Sequence, residues 1–530
     1  MTESIDVHKV FAEYFKGCET LAFALSAKLG EGNICLDIEK YKSELPGRLE
    51  EQKAKEWFKD DDARFWVSPV DFEKQCEAGK FVTHSGSELK PFVIQNGYAY
   101  LHRYFQYETQ IIDNIRRLGD RFHIITGGPG SGKTYSVSAN LEVLFGKNIN
   151  LKVALAAPTG KAAARMYQSI KDYAEDSKNN IPEGIKTKLT GLKAQTIHRM
   201  LGYISDSVIF RHNENNRLPI DVLIIDECSM IDGAMMAKLL NAADDKTVVY
   251  LLGDKDQLAS VEAGSVFGDL CRAQDSELLD GKVEVKTKSW RFAPEKGIGK
   301  FSQEVISGTL NDIASYAKDD QIIIDTTFSS ELFNQYAILY KEYIDEPDIK
   351  TALQKLNNVR FLCVTRENDQ SVSHVNKLIQ YYLSKQIPEF KPKSEGFYHN
   401  QPIIITQNDY TLGVFNGDVG LIRREGETLF AWFEGNNGEL KKIQAGYLNH
   451  YDTVFAMTIH KSQGSEFDTV VVILPEKQGE KLLTRELLYT GVTRAKTKVL
   501  IQSKDEVLYA CVKKSVSRAS GLEKRIKTEL

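Results

Sequence analysis

Residues 127–134 read Gly-Gly-Pro-Gly-Ser-Gly-Lys-Thr, a complete G-x-x-x-x-G-K-T pattern. An apolar run at 122–126 precedes the pattern, and helical spacing at 136–145 follows it. In that setting the backbone N–H groups of the loop wrap phosphates, and the helix points its positive end at them. A plain glycine turn is the alternative, but the complete pattern between a strand and a helix favours a triphosphate site. The predicted ATP-binding residues here are Gly127, Gly128, Pro129, Gly130, Ser131, Gly132, Lys133 and Thr134. Lys133 should reach the β- and γ-phosphates, and the Thr134 hydroxyl should bind Mg²⁺.

Two carboxylates follow a buried-looking strand at 222–225, namely Asp226 and Glu227. Asp226 would hold Mg²⁺, directly or through water, and Glu227 would orient or deprotonate the attacking water. Strands often end in acids at solvent, so this pattern is weak by itself. Because the Asp-Glu pair lies in the same α/β unit as the phosphate loop, the prediction that it belongs to the ATP site becomes strong.

Short apolar runs alternate with helical stretches in two regions of the chain. In the first region the runs lie at 122–126, 153–157, 222–225 and 248–252, and in the second at 359–364, 454–458, 469–474 and 498–502. Buried strands separated by long crossovers imply parallel sheets with helices on both faces. Inside the second region, runs at 402–406, 417–423, 428–433 and 440–443 are separated by Gly and Asn turns. They predict a small inserted β-barrel.

The chain length requires several domains, because 530 residues are too many for one hydrophobic core. We expect a mostly helical domain at 1–105, an α/β domain at 106–355 with a helical C-terminal part, and a second α/β domain at 356–530. The inserted barrel is expected at 386–450.

Composition excludes several classes of protein. The net charge, 68 − 73 = −5, is no general signature of nucleic-acid binding, so such a site must be a local groove. The seven cysteines form no C-x-x-C pair, which speaks against zinc sites and disulfides and favours a reduced, cytoplasmic setting. No signal-peptide pattern and no apolar run of membrane-spanning length is recognised, so no membrane association is expected.

Six further strings follow the phosphate loop in a fixed order. They are APTGKAAAR at 157–165, TIHRMLG at 196–202, LGDKDQL at 252–258, SWRF at 289–292, TIHKSQGSEFD at 458–468 and YTGVTRA at 489–495. This order resembles the superfamily 1 DNA helicases. Within them, segments 30–36, 156–165, 253–264, 415–420 and 458–468 are similar to RecD-type subunits of RecBCD (exonuclease V) complexes.

The resemblance implies two RecA-like P-loop motor domains, an SH3-like barrel and an N-terminal domain that docks on partner subunits. It also implies ATP and Mg²⁺ as cofactors, and 5′→3′ translocation on single-stranded DNA in double-strand-break repair and recombination. The implied partners are single-stranded and duplex-end DNA together with RecB-like and RecC-like subunits.

The resemblance also assigns residues. Gln257 would sense the γ-phosphate, and Arg291 and Arg494 would act as arginine fingers. Gln110 matches an adenine-reading Gln, although a surface helix Gln is nearly as good an interpretation. Gly464 and Glu466 would complete the ATP site. The implied DNA contacts are Pro158, Thr159, Thr196, His198, Thr458 and His460. His198 and His460 are equally interpretable as packed histidines.

Two stretches are ambiguous. Glu284-Val285-Lys286 has the E-x-K form of some nucleases, but no second carboxylate strand brackets it, so we predict a strand edge and no nuclease centre. The basic segment 513–527 would contact DNA or a partner, or would form a solvated face.

Two rival functions stay open at this point. One is a free-standing RecD-like helicase, acting on RNA or in replication. The other is a nucleotide-switched scaffold that binds DNA without unwinding it. Only about 105 residues precede the phosphate-loop domain, which favours the subunit form.

Overall fold

The N-terminal part of the protein combines helices with a small sheet. The computed structural model describes residues 6–54, 60–204, 207–260, 262–409, 411–435, 439–477, 479, 482–516 and 518–528. Four helices lie in this part: α1 (Val7–Glu13), α2 (Glu19–Gly30), α3 (Ile38–Lys53) and α4 (Pro69–Cys76). The strands are β1 (Cys35–Asp37), β2 (Val82–Thr83), β3 (Phe92–Gln95) and β4 (Tyr98–Leu101), in the order β1-β4-β3-β2.

The sheet of the N-terminal part was not predicted, although its helices were. Strands of two to four residues are too short to show a reliable alternation of apolar and polar residues. The β3–β4 turn is formed by Asn96 and Gly97, both with positive φ, as two-residue hairpin turns require.

The first parallel sheet carries the phosphate loop. Its region comprises α5 (His102–Leu118), β5 (Phe122–Gly127), α6 (Lys133–Lys147), β6 (Val153–Ala157), α7 (Gly160–Glu175), α8 (Glu183–Thr190), β7 (Ala194–Thr196), α9 (Ile197–Leu201), β8 (Val222–Ile225), α10 (Gly233–Ala242), β9 (Val248–Gly253), α11 (Val266–Arg272) and β10 (Val283–Lys286). The strand order is β10-β5-β9-β8-β6-β7, and every pairing is parallel. One apolar core lies between the sheet and α5, α10 and α11, and another lies on the face covered by α6, α7 and α8. The α/β prediction with helices on both faces is therefore confirmed.

A second parallel sheet follows. Its region comprises α12 (Gly297–Ser307), β11 (Ile322–Asp325), α13 (Ser330–Ala337), α14 (Lys341–Ile344), α15 (Ile349–Lys355), β12 (Val359–Cys363), α16 (Val372–Gln386), β13 (Pro402–Ile405), β14 (Val419–Glu425), β15 (Thr428–Glu434), β16 (Leu440–Gln444), β17 (Tyr451–Thr453), β18 (Ala456–Thr458), β19 (Phe467–Ile473), α17 (Arg485–Val492), β20 (Ala495–Gln502), α18 (Asp505–Lys513) and α19 (Leu522–Thr528). The parallel order is β11-β20-β19-β12-β18.

The expected division at residue 355 does not follow the sheets. Strand β11 lies before that division but pairs with β20 of the second sheet. Helix α12 packs on α17, and Ile298 and Phe301 join the core of the second sheet. The reason is topological, because an edge strand can enter a sheet from a distant part of the chain.

The strands β13–β17 form a separate antiparallel sheet in the order β16-β15-β14-β13-β17. Four of them fall on the apolar runs predicted for the insert. Buried Arg423 fixes this sheet to the end of α14, because its guanidinium donates to the carbonyls of Tyr343 (2.8 Å) and Glu346 (2.7 Å). The insert is therefore attached rigidly to the second sheet.

Candidate nucleotide site between the two parallel sheets

The phosphate loop joins β5 to α6. Gly130 and Gly132 have φ of 72° and 79°, a conformation that residues with a Cβ rarely adopt. A Cβ atom added at Gly127 would lie 2.6 Å from the carbonyl oxygen of Lys286, so β10 also requires glycine there. Lys133 Nζ donates to the carbonyls of Gly127 (2.5 Å) and Gly128 (3.2 Å). The loop thus holds the Lys133 ammonium group beside its own backbone, where it could contact a bound phosphate.

The two predicted carboxylates lie directly beyond β8. Burial raises the pKa of Asp226 to about 6, and the neighbouring Glu227 adds to the rise while Lys133 opposes it. Asp226 Oδ1 accepts the backbone N–H of Glu227 at 2.8 Å. Glu227 has φ of 54°, a left-handed conformation that is costly for a residue with a side chain. Such strain is common at functional sites, and both acids line the same cavity.

Strand β9 ends beside the cradle and supplies a polar turn. Buried Asp254 accepts hydrogen bonds from Gln257 Nε2 (3.1 Å), the backbone N–H of Asp256 (3.0 Å) and the hydroxyl of Tyr489 (2.9 Å). Tyr489 belongs to α17 of the second sheet, so this bond joins the two halves of the site. Two more bonds cross over, from the Leu258 N–H to Thr490 Oγ1 (3.0 Å) and from Gln463 Nε2 to the Leu258 carbonyl (2.9 Å).

Arg494 reaches the cavity from the second half. Its side chain is buried, and Nε donates to the carbonyl of Thr490 at 3.1 Å. The cavity has a volume of about 990 Å³ and is lined by both Lys133 and Arg494. The lysine of one sheet and the arginine of the other therefore face a common space.

A cluster of three charges closes one side of the cavity. Arg291 Nη1 lies 2.5 Å from Glu466 Oε1, and Arg165 of α7 pairs with the same oxygen. Burial alone would raise the pKa of Glu466, but the two guanidinium groups outweigh it and hold that pKa below its ordinary value. Glu466, which belongs to the second half of the site, thus forms ion pairs with two arginines from the first half.

Most of the predicted ATP-site residues line this cavity. They are Pro129, Gly130, Ser131, Gly132, Lys133, Thr134, Asp226, Glu227, Gln257, Arg291, Glu466 and Arg494. Gln110 does not line it, because its Oε1 accepts a hydrogen bond from Asn241 of α10 at 3.2 Å. Gly464 also lies outside the lining and approaches α7, where an added Cβ would be 3.3 Å from Ala162.

Several lining residues had no predicted role, among them Arg165, Asp254 and Trp290. These three residues lie within the helicase-like segments 157–165, 252–258 and 289–292, but those segments alone did not indicate a role for them. Trp290 is 77% exposed, and its indole lies 3.7 Å from the position of a Cβ on Gly132. A large exposed ring beside a phosphate cradle is suited to stack on a planar base.

The predicted DNA contacts lie at carboxyl ends of strands. Ala157, the last residue of β6, is in register with Thr196, the last residue of β7, so Pro158 and Thr159 lie close to Thr196. Thr159 and Thr196 cap α7 and α9 through their hydroxyls, whereas Thr458 ends β18 and accepts the Lys461 N–H at 3.2 Å. Each hydroxyl thus has a structural role in addition to any role in binding.

The two histidines differ in their surroundings. His198 lies at the surface but has one side of its ring covered by Phe210, against which it packs edge-on with ring centroids 5.6 Å apart. Burial lowers the pKa of both histidines, and the nearby Arg518 guanidinium lowers the pKa of His460 further. Neither histidine is excluded as a DNA contact by these surroundings.

The remaining ambiguous stretches are also placed. Glu284, Val285 and Lys286 lie in β10 at the edge of the first sheet, which is the strand edge that we predicted.

Among the described residues, no cluster of His, Cys, Asp or Glu has the arrangement of a metal site. No described helix has the length and hydropathy needed to cross a membrane. The basic C-terminal segment packs on the first sheet and the N-terminal part through Gly521, Leu522 and Ile526. Its lysines are nevertheless exposed, so the interpretation as a solvated face holds for Lys513, Lys514, Lys524 and Lys527.

Three protein-family models match the chain. Residues 110–263 match an AAA domain, and residues 453–501 match a UvrD-like helicase C-terminal domain. Residues 16–100 match the N-terminal domain of the RecBCD enzyme subunit RecD. The first two matches fall on the parts that form the two halves of the cavity.

Curated relatives match over most of the chain. The RecBCD enzyme subunit RecD of Haemophilus influenzae is 31% identical over 98% of this chain and 94% of its own length. That of Mycolicibacterium smegmatis is 38% identical over 76% of this chain and 72% of its own length. The ATP-dependent RecD2 DNA helicase of Deinococcus radiodurans is 29% identical over 73% of this chain and 47% of its own length.

Among solved structures, Bacteroides Pif1 bound to ssDNA is 17% identical to the chain. It matches 75% of this chain and 92% of its own, with a TM-score of 0.40. At that distance the likeness carries no functional argument.

Proposed function

The chain belongs to the family of RecBCD enzyme subunits RecD, and from this premise we propose that it moves 5′→3′ along single-stranded DNA by hydrolysing ATP. The chain is an ATP-dependent DNA helicase of this family. In the proposed role it forms one motor of a helicase–nuclease that processes duplex ends during double-strand-break repair, together with RecB-like and RecC-like subunits. We place it in the cytoplasm.

One observation supports the ATP-driven motor most strongly, namely the cavity shared by Lys133 and Arg494. Two buried polar atoms in its lining, Ser131 Oγ and Gln257 Oε1, have no hydrogen-bond partner among the described residues. Buried polar atoms are nearly always paired in folded proteins, so these atoms are suited to a polar ligand. A triphosphate held there would contact both halves and favour their closed arrangement, and hydrolysis would release it.

The residues divide the chemistry between them. Lys133 and the loop N–H groups would bind the phosphates, and Glu227 would orient or deprotonate the attacking water. Arg291 and Arg494 would stabilise negative charge that develops on the transferring phosphoryl group, an effect on the order of 10³–10⁵ in rate in other enzymes of this kind. The buried carboxylate of Asp226 and the hydroxyl of Thr134 fit an oxygen-seeking cation. They would hold Mg²⁺, which would neutralise phosphate charge.

For the DNA path we propose the polar groups at the carboxyl ends of β6, β7 and β18. Hydroxyls, backbone N–H groups and rings suit a grip that ignores base sequence. The first half of the motor contributes Thr159 and Thr196, and the second half contributes Thr458. A DNA strand bound to all three would be moved when the two halves close. Pro158, His198 and His460 would add contacts.

We also propose a domain division for the motor. The first RecA-like unit would end near residue 292, and the second would begin with α12. The sheet β13–β17 would be the SH3-like insert. Residues up to about 105 would dock on the partner subunits, which is the position of the matched RecD N-terminal domain.

Two measurements on the purified chain test this proposal. ATP turnover should rise strongly when single-stranded DNA is added, whereas a nucleotide-switched scaffold would show little stimulation. Unwinding should require a 5′ tail, and unwinding of substrates with only a 3′ tail would overturn the proposed polarity.

A free-standing helicase is the second candidate, because the chain also matches a RecD2 helicase. Size exclusion of the native protein from cells, with and without nuclease-helicase and scaffold partners, separates the two. Elution as a large complex supports the subunit, and elution at the mass of the single chain supports the free-standing form.

A further inference from the structure

The C-terminal segment of the chain returns from the second half of the motor to the first. Helix α18 packs in the core of the second sheet through Leu508 and Val512. Residues 514–516 and 518–521 then lie between the two sheets, and α19 lies on α11, with Leu522 and Ile526 in the core of the first sheet. We call residues 514–528 the strap. Position 517 lies outside the described residues.

The strap is anchored on the first half by buried polar contacts. Glu108 of α5 accepts hydrogen bonds from the hydroxyl of Ser520 (3.1 Å) and the N–H of Gly521 (3.0 Å). Arg525 Nη1 lies 3.5 Å from the other carboxylate oxygen of Glu108. A buried carboxylate is costly without such partners, so this docking is specific and not a loose association.

The strap also contacts the N-terminal part. The N–H of Ile34 donates to the carbonyl of Ala519 at 2.9 Å, and the N–H of Ala519 donates to Asn33 Oδ1 at 2.7 Å. The strap therefore touches the N-terminal part, the first sheet and the second sheet within fifteen residues.

Arg518 lies at the centre of these contacts and faces the loop that follows Gln257. Its Nη1 donates to the carbonyls of Ser260, Glu262 (2.9 Å) and Gly264 (3.1 Å). A Cβ added at Gly32 would lie 3.3 Å from the Arg518 guanidinium carbon, so the N-terminal part closes over the guanidinium. A planar guanidinium can collect several carbonyls in a fixed geometry, which a lysine ammonium does not reproduce.

The loop 257–264, of which residue 261 lies outside the described residues, is thus held at both ends by groups from other parts of the chain. At its start, Thr490 and Gln463 of the second half bind Leu258. At its end, Arg518 of the strap binds three carbonyls. Gln257, at the start of the loop, lines the nucleotide cavity.

We propose that Arg518 is a positioning residue for ATP hydrolysis, which holds the loop 257–264 so that Gln257 faces the γ-phosphate. This inference rests on the proposed ATPase function. Because the strap is continuous with α18, movement of the second half is transmitted to the loop through Arg518. Arg518 itself touches no reacting group.

The test compares Arg518→Ala, Arg518→Lys and the exposed control Lys513→Ala in the full chain. We expect Arg518→Ala to lower DNA-stimulated kcat about tenfold or more, because even a small displacement of a group beside the reacting atoms slows the reaction strongly. The KM for ATP should stay within about twofold, because the phosphate cradle is untouched. Arg518→Lys should give an intermediate kcat, and it also serves if the alanine variant does not fold.

Amide hydrogen exchange provides the second readout and does not depend on turnover. Exchange in residues 258–264 should rise in Arg518→Ala and stay unchanged in Lys513→Ala, while exchange in the phosphate loop stays constant. Wild-type exchange at 258–264, or wild-type kcat, in Arg518→Ala would overturn the inference. A wild-type chain without ATP turnover would instead refute the proposed function, and exchange would still show whether Arg518 holds the loop.

Discussion

Arg291 Nη1 lies 2.5 Å from Glu466 Oε1, so a residue that follows the first sheet is paired with a residue that precedes β19 of the second. Arg165 pairs with the same carboxylate oxygen. Two guanidinium groups on one carboxylate repel each other unless the negative charge remains between them. Glu466 therefore fixes the position of the predicted arginine finger relative to the phosphate loop.

Replacing Glu466 by glutamine tests this relationship. Glu466→Gln keeps the size of the side chain but removes the charge, so Arg165 and Arg291 should separate and Arg291 should leave its position. We expect DNA-stimulated kcat to fall about tenfold. Asp468→Asn is the matched control, because Asp468 lies two residues after Glu466 and its side chain forms an exposed ion pair with Lys496. Equal turnover in the two variants would contradict the assigned role of Glu466.

Lys133→Ala should abolish ATP turnover and leave the fold intact. Among the described residues, the hydrogen bonds of Lys133 Nζ go to carbonyls of its own loop, so its removal should change the unfolding temperature by less than about 2 °C. Loss of its charge at the phosphates should lower kcat on the order of 10³-fold. Lys147→Ala, at the exposed end of the same helix, should match the wild type. Turnover that persists in Lys133→Ala would disprove the assignment of the site.

The nucleotide base provides a third test, which separates two candidate contacts. Trp290→Ala should raise the dissociation constant for ATP and GTP alike by about tenfold, because stacking contributes about 1–3 kcal/mol and every base has a flat face. Gln110→Ala should reduce the preference for ATP over GTP only if Gln110 leaves Asn241 to read adenine. Titration of both nucleotides into both variants gives the answer, with the exposed Tyr447→Ala as control. Unchanged binding in Trp290→Ala would rule out stacking.

Glu108 makes the stability of the chain depend on pH. Burial raises its pKa to about 7, Arg525 opposes the rise and Asp269 adds to it. The carboxyl thus holds its proton more tightly when folded than at its ordinary value of 4.5. The folded chain binds more protons between pH 4.5 and about 7, so stability falls as pH rises through that window and the loss is complete above it.

The corresponding variant is Glu108→Gln, which keeps an oxygen to accept from Ser520 and Gly521. The unfolding temperature of Glu108→Gln minus that of the wild type should increase as the pH rises from 5 to 8, because only the wild type loses stability over this range. Tyr100, Arg272, Glu523 and Cys35 surround the same cluster and are unchanged in both proteins. Scanning calorimetry of both chains, with exposed Glu50→Gln as control, measures the difference. A constant difference across this range would show that Glu108 does not titrate there.

The sequence predicted the parts of the site that depend on local pattern. Strands β6 and β8 match the predicted runs at both ends, because every residue of β8 is buried and apolar and both strands end in polar turns. The phosphate loop and the Asp226–Glu227 pair follow from such strands, since parallel strands end at one edge of a sheet. The four predicted strands of the insert were found for a similar reason, as Gly and Asn turns separate them.

Contacts between distant segments could not be predicted in this way. Strand β7 is short and partly exposed, so its apolar pattern is weak. The pairing of β11 with β20, the binding of Gln110 to Asn241 and the docking of the strap depend on which surfaces meet after folding. A basic segment at the end of a chain carries no sign in its composition that Arg525 will be buried and Arg518 half-buried.

The hydrogen bond from Tyr489 to Asp254 provides the final prediction. Asp254 is buried, and Tyr489 supplies one of its three donors from the opposite half of the motor. Tyr489→Phe leaves the ring in place but removes that donor, at a cost of about 1–3 kcal/mol for a buried acceptor. Because Asp254 also orients Gln257 while α17 leads to Arg494, we expect DNA-stimulated kcat to fall while nucleotide affinity changes less than about twofold.

The matched control is Tyr509→Phe, which removes a hydroxyl that accepts the N–H of Ile313 far from the cavity. It should lower the unfolding temperature without changing kcat. If both phenylalanine variants lowered kcat equally, the effect of Tyr489→Phe would be a loss of stability alone. A fall in kcat confined to Tyr489→Phe, with ATP binding retained, would mean that the two halves communicate through this bond, because no other change in the variant alters the cavity.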